Sequence, residues 1–166
     1  MEFLNFLTHI PKAVQVFFIS ILPVVELRGA IPFGALTGDE LNMFLCYFVS
    51  VIGNLLPIPF ILLFIKKILE YMSNSKIKLF NTVSNKLIER ANKRSKKMNA
   101  GTFYALFIFV AIPLPGTGAW TGALIASLMG MRFKKSMLAI VLGVLVAGAI
   151  MTLGSYGVVS AFKIFA

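Results

Sequence analysis

Residues 113–130 read PLPGTGAWTGALIASLMG, and this stretch limits what the chain can become more than any other. Twelve apolar residues, Thr102 to Pro113, lead into it, and twelve more, Ala119 to Gly130, lead out of the Pro115-Gly116-Thr117-Gly118 break. At 1.5 Å per residue each arm reaches about 18 Å as a helix, well short of a hydrocarbon core of about 30 Å. Neither arm can span a bilayer alone. Lys93, Arg94, Lys96 and Lys97 stand before the stretch, and Arg132, Lys134 and Lys135 stand after it. Basic residues collect on the cytoplasmic side, so the chain is expected to enter from that side, turn at the break and return. Irregular backbone at that depth needs protein or a wet cavity around it, which points the tip at a site. The competing arrangement, two short spanning helices joined by an external turn, requires marked bilayer thinning.

A membrane setting for the whole chain follows from composition. Of 166 residues 58% are hydrophobic, the mean hydropathy is +0.89, and soluble chains are about half apolar. The formal charge of +10 is distributed by topology. Ten Lys and Arg lie between Lys66 and Lys97 against Glu70 and Glu89, whereas Lys12 and Lys163 on the expected outer side are offset by Glu2, Asp39 and Glu40. That is the positive-inside pattern. Nucleic acid is not an expected partner, because no aromatic residues alternate with the basic run as stacking platforms would require. A single cysteine, Cys46, forms no internal disulfide, and with no Cys or His beside it no metal site and no cofactor is predicted. No nucleophile and base pair up, so no enzyme activity is expected. The start of the chain, Met1 to Lys12, lacks signal-peptide features, and its lone histidine, His9, is expected at the interface.

The fold class predicted is an all-α integral membrane protein with an inverted repeat of a re-entrant helical hairpin followed by a transmembrane helix. Repeat 1 covers 13–65, with a hairpin at 13–38, broken at Glu26-Leu27-Arg28-Gly29, and a span at 41–65 that Asn54, Pro57 and Pro59 are expected to kink. Repeat 2 covers 100–161, with a hairpin at 102–130 and a span at 136–161. At an offset of ninety residues Pro23 falls on Pro113 and Gly53 on Gly143. One crossing between the hairpins makes them enter from opposite faces, as in many secondary transporters. Between the repeats, 66–99 is expected to be a basic amphipathic helix on the cytoplasmic leaflet or, equally, a solvated bridge. Small residues from Gly143 to Gly157 allow close helix contact, either as packing within the chain or as a homodimer face.

Glu26 and Arg28 are the only ionisable side chains that this topology places inside the membrane. A charge at that depth costs about 2.5 to 3.5 kcal/mol on insertion scales, so such groups pair, face water or serve a substrate. Arg28 is the expected holder of an anionic group and Glu26 the expected proton-coupling carboxyl. The alternative is that the pair only caps the hairpin. At the second tip Gly116, Thr117, Gly118 and the start of the next arm offer amides for a phosphate or carboxylate, Thr117 and Thr121 offer hydroxyls, and Trp120 can pack on an apolar tail. Gly29, Pro32 and Pro115 complete the candidate substrate-binding set. The same glycines could equally serve close packing of two tips.

ELRGAIPFG at 26–34 together with AIPLPGTGAWTGALIA at 111–126 resembles the small multi-drug export protein family, a relative of the DedA and VTT membrane proteins. The resemblance covers nearly the whole chain and implies paired re-entrant hairpins. It also implies movement of lipids, polyprenyl phosphate carriers among them, with a hairpin Glu at the position of Glu26. DedA proteins carry an Arg on each side of the second Pro-Gly, where this chain has Ile112 and Gly118. The expected function is a small proton-coupled secondary transporter or flippase for an amphipathic anionic substrate such as a lipid phosphate, with membrane lipid as its partner, resident in the cell membrane as a multi-pass protein. Two alternatives stand beside it: export of lipophilic cationic drugs, and a non-transporting scaffold.

Overall fold

A computed structural model describes residues 10–36, 41–73, 100–114 and 116–165. Every regular element among them is an α-helix: α1 Lys12–Ile21, α2 Glu26–Leu36, α3 Met43–Leu55, α4 Ile58–Ser73, α5 Ala100–Ala111, α6 Ala119–Leu128 and α7 Phe133–Phe165. His9, Asp39, Glu40, Pro115 and the part of the basic segment from 74 to 99 lie outside the described residues. Two runs, Met43–Ile65 and Phe133–Phe162, are long and apolar enough to cross a membrane. Phe18, Phe44, Phe60, Leu153 and Phe162 are each at least 60% exposed. An apolar exterior of this kind suits lipid rather than water.

Prolines and glycines set the helix ends. The first hairpin breaks earlier than expected: the chain turns at 22–25, and Gly29 lies inside α2, its amide bonded to the Val25 carbonyl at 3.1 Å. Pro23 is the cause, because its ring drives the preceding residue out of the helical region, and Leu22 stands at φ −65° and ψ 132°. The expected kink in the first span is present as a turn at Leu56 and Pro57 between α3 and α4. Asn42 caps α3 by accepting from the Phe44 amide at 3.0 Å. The end of α6 is a Schellman motif: Gly130 takes φ 69°, its amide bonds to the Ser127 carbonyl, and the Met131 amide bonds to that of Ala126.

The chain divides into two compact units, Met1–Leu56 with Val144–Ala166, and Pro57–Gly143. Each unit holds one short helix pair and part of each long run. In the first unit α1, α2 and α3 pack on one another. Gly53 lets α1 approach α3 so closely that a Cβ there would meet Ser20 Oγ and, at 2.7 Å, the Phe17 carbonyl. The later part of α7 runs antiparallel to α3, with Tyr47 donating to the Leu145 carbonyl and Tyr156 to that of Leu41, each at 3.1 Å. In the second unit α6 packs on α4 and α5. There Val110 of α5 fills the space left by Gly122 and by Gly143, at 2.7 Å from where either Cβ would stand.

Candidate functional site

Four of the candidate residues, Glu26, Arg28, Gly29 and Pro32, fall on the single helix α2 in the first unit. Glu26 opens that helix in the left-handed region, at φ 52°, the only non-glycine residue with positive φ among those described. For a residue with a Cβ that conformation costs about 1 to 2 kcal/mol, and it persists where surrounding packing fixes it. Here the side chain is 4% exposed, and Leu27, Ala30 and Ile31 beside it are buried as well. Arg28 is half-buried and lies within electrostatic reach of the Glu26 carboxylate. Carboxylate and guanidinium thus share one helical turn, the acid withdrawn and the base nearer the surface.

The face of α2 that carries Arg28 continues along the helix. Positions 28, 32, 35 and 36 follow the i, i+4, i+7, i+8 spacing of one helical face. Pro32, Ala35 and Leu36 line a groove of about 450 Å³, whose opposite wall is Ile150, Met151, Gly154, Ser155, Val158 and Val159 of α7. Its surface is almost wholly apolar. Arg28 therefore stands about 6 Å, one turn, along the helix from the start of an apolar trough. The α7 wall was not foreseen from sequence. Gly154 reads there as one packing glycine among several, yet a Cβ on it would meet nothing within 4 Å.

In the second unit the break between α5 and α6 is built differently from what a ligand site alone would need. The Thr117 hydroxyl lies 2.9 Å from both the Ile112 and Leu114 carbonyls, so its one proton is donated within the loop. Gly116 takes φ 80° at the turn and is exposed, and Gly118 is buried. Trp120 and Thr121 are half-buried in the first turn of α6. Amides of a first helical turn have no intrahelical acceptor, and that of Gly122 is the first of α6 to bond back, to the Gly118 carbonyl at 2.8 Å. Pro115 is outside the described residues.

Two buried polar residues of α3 lie outside the predicted site, and one of them, Asn54, enters the sequence reading only as a kink residue. Ser50 and Asn54 are 0% exposed, and the Ser50 hydroxyl and both amide atoms of Asn54 have no hydrogen-bond partner among the described residues. The Cys46 sulfur interacts weakly with the Tyr156 and Ser50 hydroxyls, and its thiol donates to the Ile31 carbonyl at 3.9 Å. Their four-residue spacing inside an apolar run was the available signal.

Two membrane-length apolar runs, in a chain whose described elements are all helical, mark a helical membrane protein. Residues 26–150 match the family described as putative small multi-drug export protein, and the chain belongs to that family. Comparison with curated proteins and with solved structures gives no match.

Proposed function

We propose that the protein is a small secondary transporter for amphipathic anionic compounds, a lipid phosphate being the class that suits both a cationic head site and an apolar trough. One observation carries this reading: Arg28 and the groove residues Pro32, Ala35 and Leu36 share one face of α2. The guanidinium takes the anionic head, and the groove takes the tail. Glu26 supplies the coupling. While Arg28 faces it, the buried carboxylate keeps its charge. Once an anion neutralises Arg28, the carboxylate loses that support and takes up a proton, so anion and proton move together.

In this reading the helix pairs at 12–36 and 100–128 are re-entrant, dip into the cell membrane from opposite faces as inverted repeats, and leave the basic segment 66–99 in the cytoplasm. The lengths support it, since helices of 10 to 12 residues extend only about 15 to 18 Å. A second reading, export of lipophilic cations, is favoured by the family description. There Glu26 is the counter-charge, and proton and drug exchange rather than travel together.

Flux of a fluorescent short-chain phosphate amphiphile into proteoliposomes tests the proposal. A charged hydrogen-bond partner is worth about 1.5 to 3 kcal/mol, so Arg28→Ala should lower the rate about 10- to 150-fold. Glu26→Gln should leave downhill flux but remove its response to a pH gradient. Intact flux in Arg28→Ala refutes the anionic reading. If a lipophilic cation moves instead, and only Glu26→Gln stops it, the second reading holds.

A further inference from the structure

We infer that the buried C-terminal end of α3 is a binding site for an alkali-metal cation, sodium by the hardness of its oxygen donors, built on Asn54 and Ser50 with Glu26 as counter-charge. The observation that requires an occupant is Asn54. Its side chain is 0% exposed, and neither amide atom has a hydrogen-bond partner among the described residues, nor does Ser50 Oγ one turn earlier. A buried amide left in that state costs about 1 to 3 kcal/mol.

The surroundings select a cation. Asn54 lies in the last turn of α3, which ends at Leu55. A helix C-terminus carries negative dipole character and exposed carbonyls. Pro57 and Pro59 have no N–H to donate, so the carbonyls of Gly53 and Leu55 both lose their i+4 donors. In many secondary transporters, helix ends broken at membrane depth coordinate the coupling ion, sodium or a proton. Ser20 of α1 stands against Gly53, but its hydroxyl is already bonded to the Phe17 carbonyl at 2.7 Å.

Packing brings Glu26 to the same level. Gly34 sits against Cys46 and Leu41, and Cys46 reaches the Ile31 carbonyl, so α2 and α3 run antiparallel in contact. Going back from Gly34 to Glu26 and forward from Cys46 to Asn54 covers eight residues on each helix, about 12 Å in the same direction. One carboxylate with neutral oxygens suits a monovalent ion, since no group of three His, Cys, Asp or Glu capable of holding a metal occurs among the described residues. The site deepens the transport reading by adding a second ion, but binding there does not depend on the organic substrate.

The test is thermal unfolding of the full chain in detergent at constant ionic strength in sodium, potassium or N-methylglucamine chloride. Sodium should raise Tm saturably by a few degrees over N-methylglucamine. Asn54→Leu and Ser50→Ala should lose the sodium shift, Glu26→Gln should need at least tenfold more sodium, and Arg28→Ala should keep the shift even as its anion flux falls at least tenfold. No cation-specific shift in the natural protein, or a shift retained in Ser50→Ala, overturns the site and leaves water as the occupant. If Asn54→Leu does not fold, Ser50→Ala decides. An unchanged sodium midpoint in Glu26→Gln removes Glu26 from it.

Discussion

The contact of α1 with α3 at Gly53 gives the sharpest test of the packing that positions α2. Placing a methyl group there brings it onto Ser20 Oγ and to 2.7 Å from the Phe17 carbonyl. A hydroxyl can rotate away, but a backbone carbonyl cannot, so α1 must shift. Overpacking costs about 1 to 3 kcal/mol, and displacing Ser20 from its 2.7 Å bond forfeits about 0.5 to 1.5 kcal/mol. Alanine returns about 0.8 to 1 kcal/mol of helix propensity. Gly53→Ala is therefore destabilising by roughly 0.5 to 3.5 kcal/mol. Gly154→Ala, with nothing within 4 Å of its Cβ, should gain up to about 1 kcal/mol. With the middle of each range, about 2.5 kcal/mol apart, and about 2 to 4 °C per kcal/mol for a chain of this size, the two variants should differ by roughly 5 to 10 °C. The only cysteine, Cys46, is fully buried in the same unit, so a thiol-reactive fluorophore reports its opening during a melt in detergent. Ser20→Ala combined with Gly53→Ala should recover part of the loss, since the Phe17 carbonyl remains. A Gly53→Ala protein that melts at or above the parent, or below which Gly154→Ala melts, refutes the contact.

Three further outcomes are expected. Gly154→Leu should fill the groove beside Pro32 and Met151, reducing amphiphile flux at least tenfold while Tm stays within a few degrees, read from paired flux and melting assays. Tyr156→Phe removes the 3.1 Å bond to the Leu41 carbonyl and should cost about 1 kcal/mol, or 2 to 4 °C in Tm. Gly130→Ala forces a Cβ into φ 69° at the end of α6 and should cost about 1 kcal/mol in the same melt.

Charges and helix breakers were legible in the sequence, and packing faces were not. Pro57 and the break at 116–118 interrupt the helices where their chemistry dictates, and the positions of Glu26 and Arg28 in a short helix pair could be read from spans alone. The first break falls a few residues before the Glu26-Leu27-Arg28-Gly29 expected from sequence, because glycine only permits a turn whereas proline excludes the helix from the residue before it. Which side of each helix meets protein is harder to read. In lipid both the inward and the outward faces are apolar, so periodicity carries little information. Gly53 and Gly154 are the same letter, yet one lies against a carbonyl and the other lines an open groove. The left-handed backbone of Glu26 and the unsatisfied amide of Asn54 depend on tertiary contacts that no local pattern encodes.

The central claim is that the groove headed by Arg28 holds the amphiphile. It is tested most directly by replacing Cys46 with serine, placing a single cysteine at Gly154, and following its modification by a small membrane-permeant thiol reagent with and without a short-chain phosphate amphiphile. The account predicts that the amphiphile slows modification at least tenfold, and that Arg28→Ala abolishes this protection. Equal modification rates with and without amphiphile, or protection that survives Arg28→Ala, would contradict it.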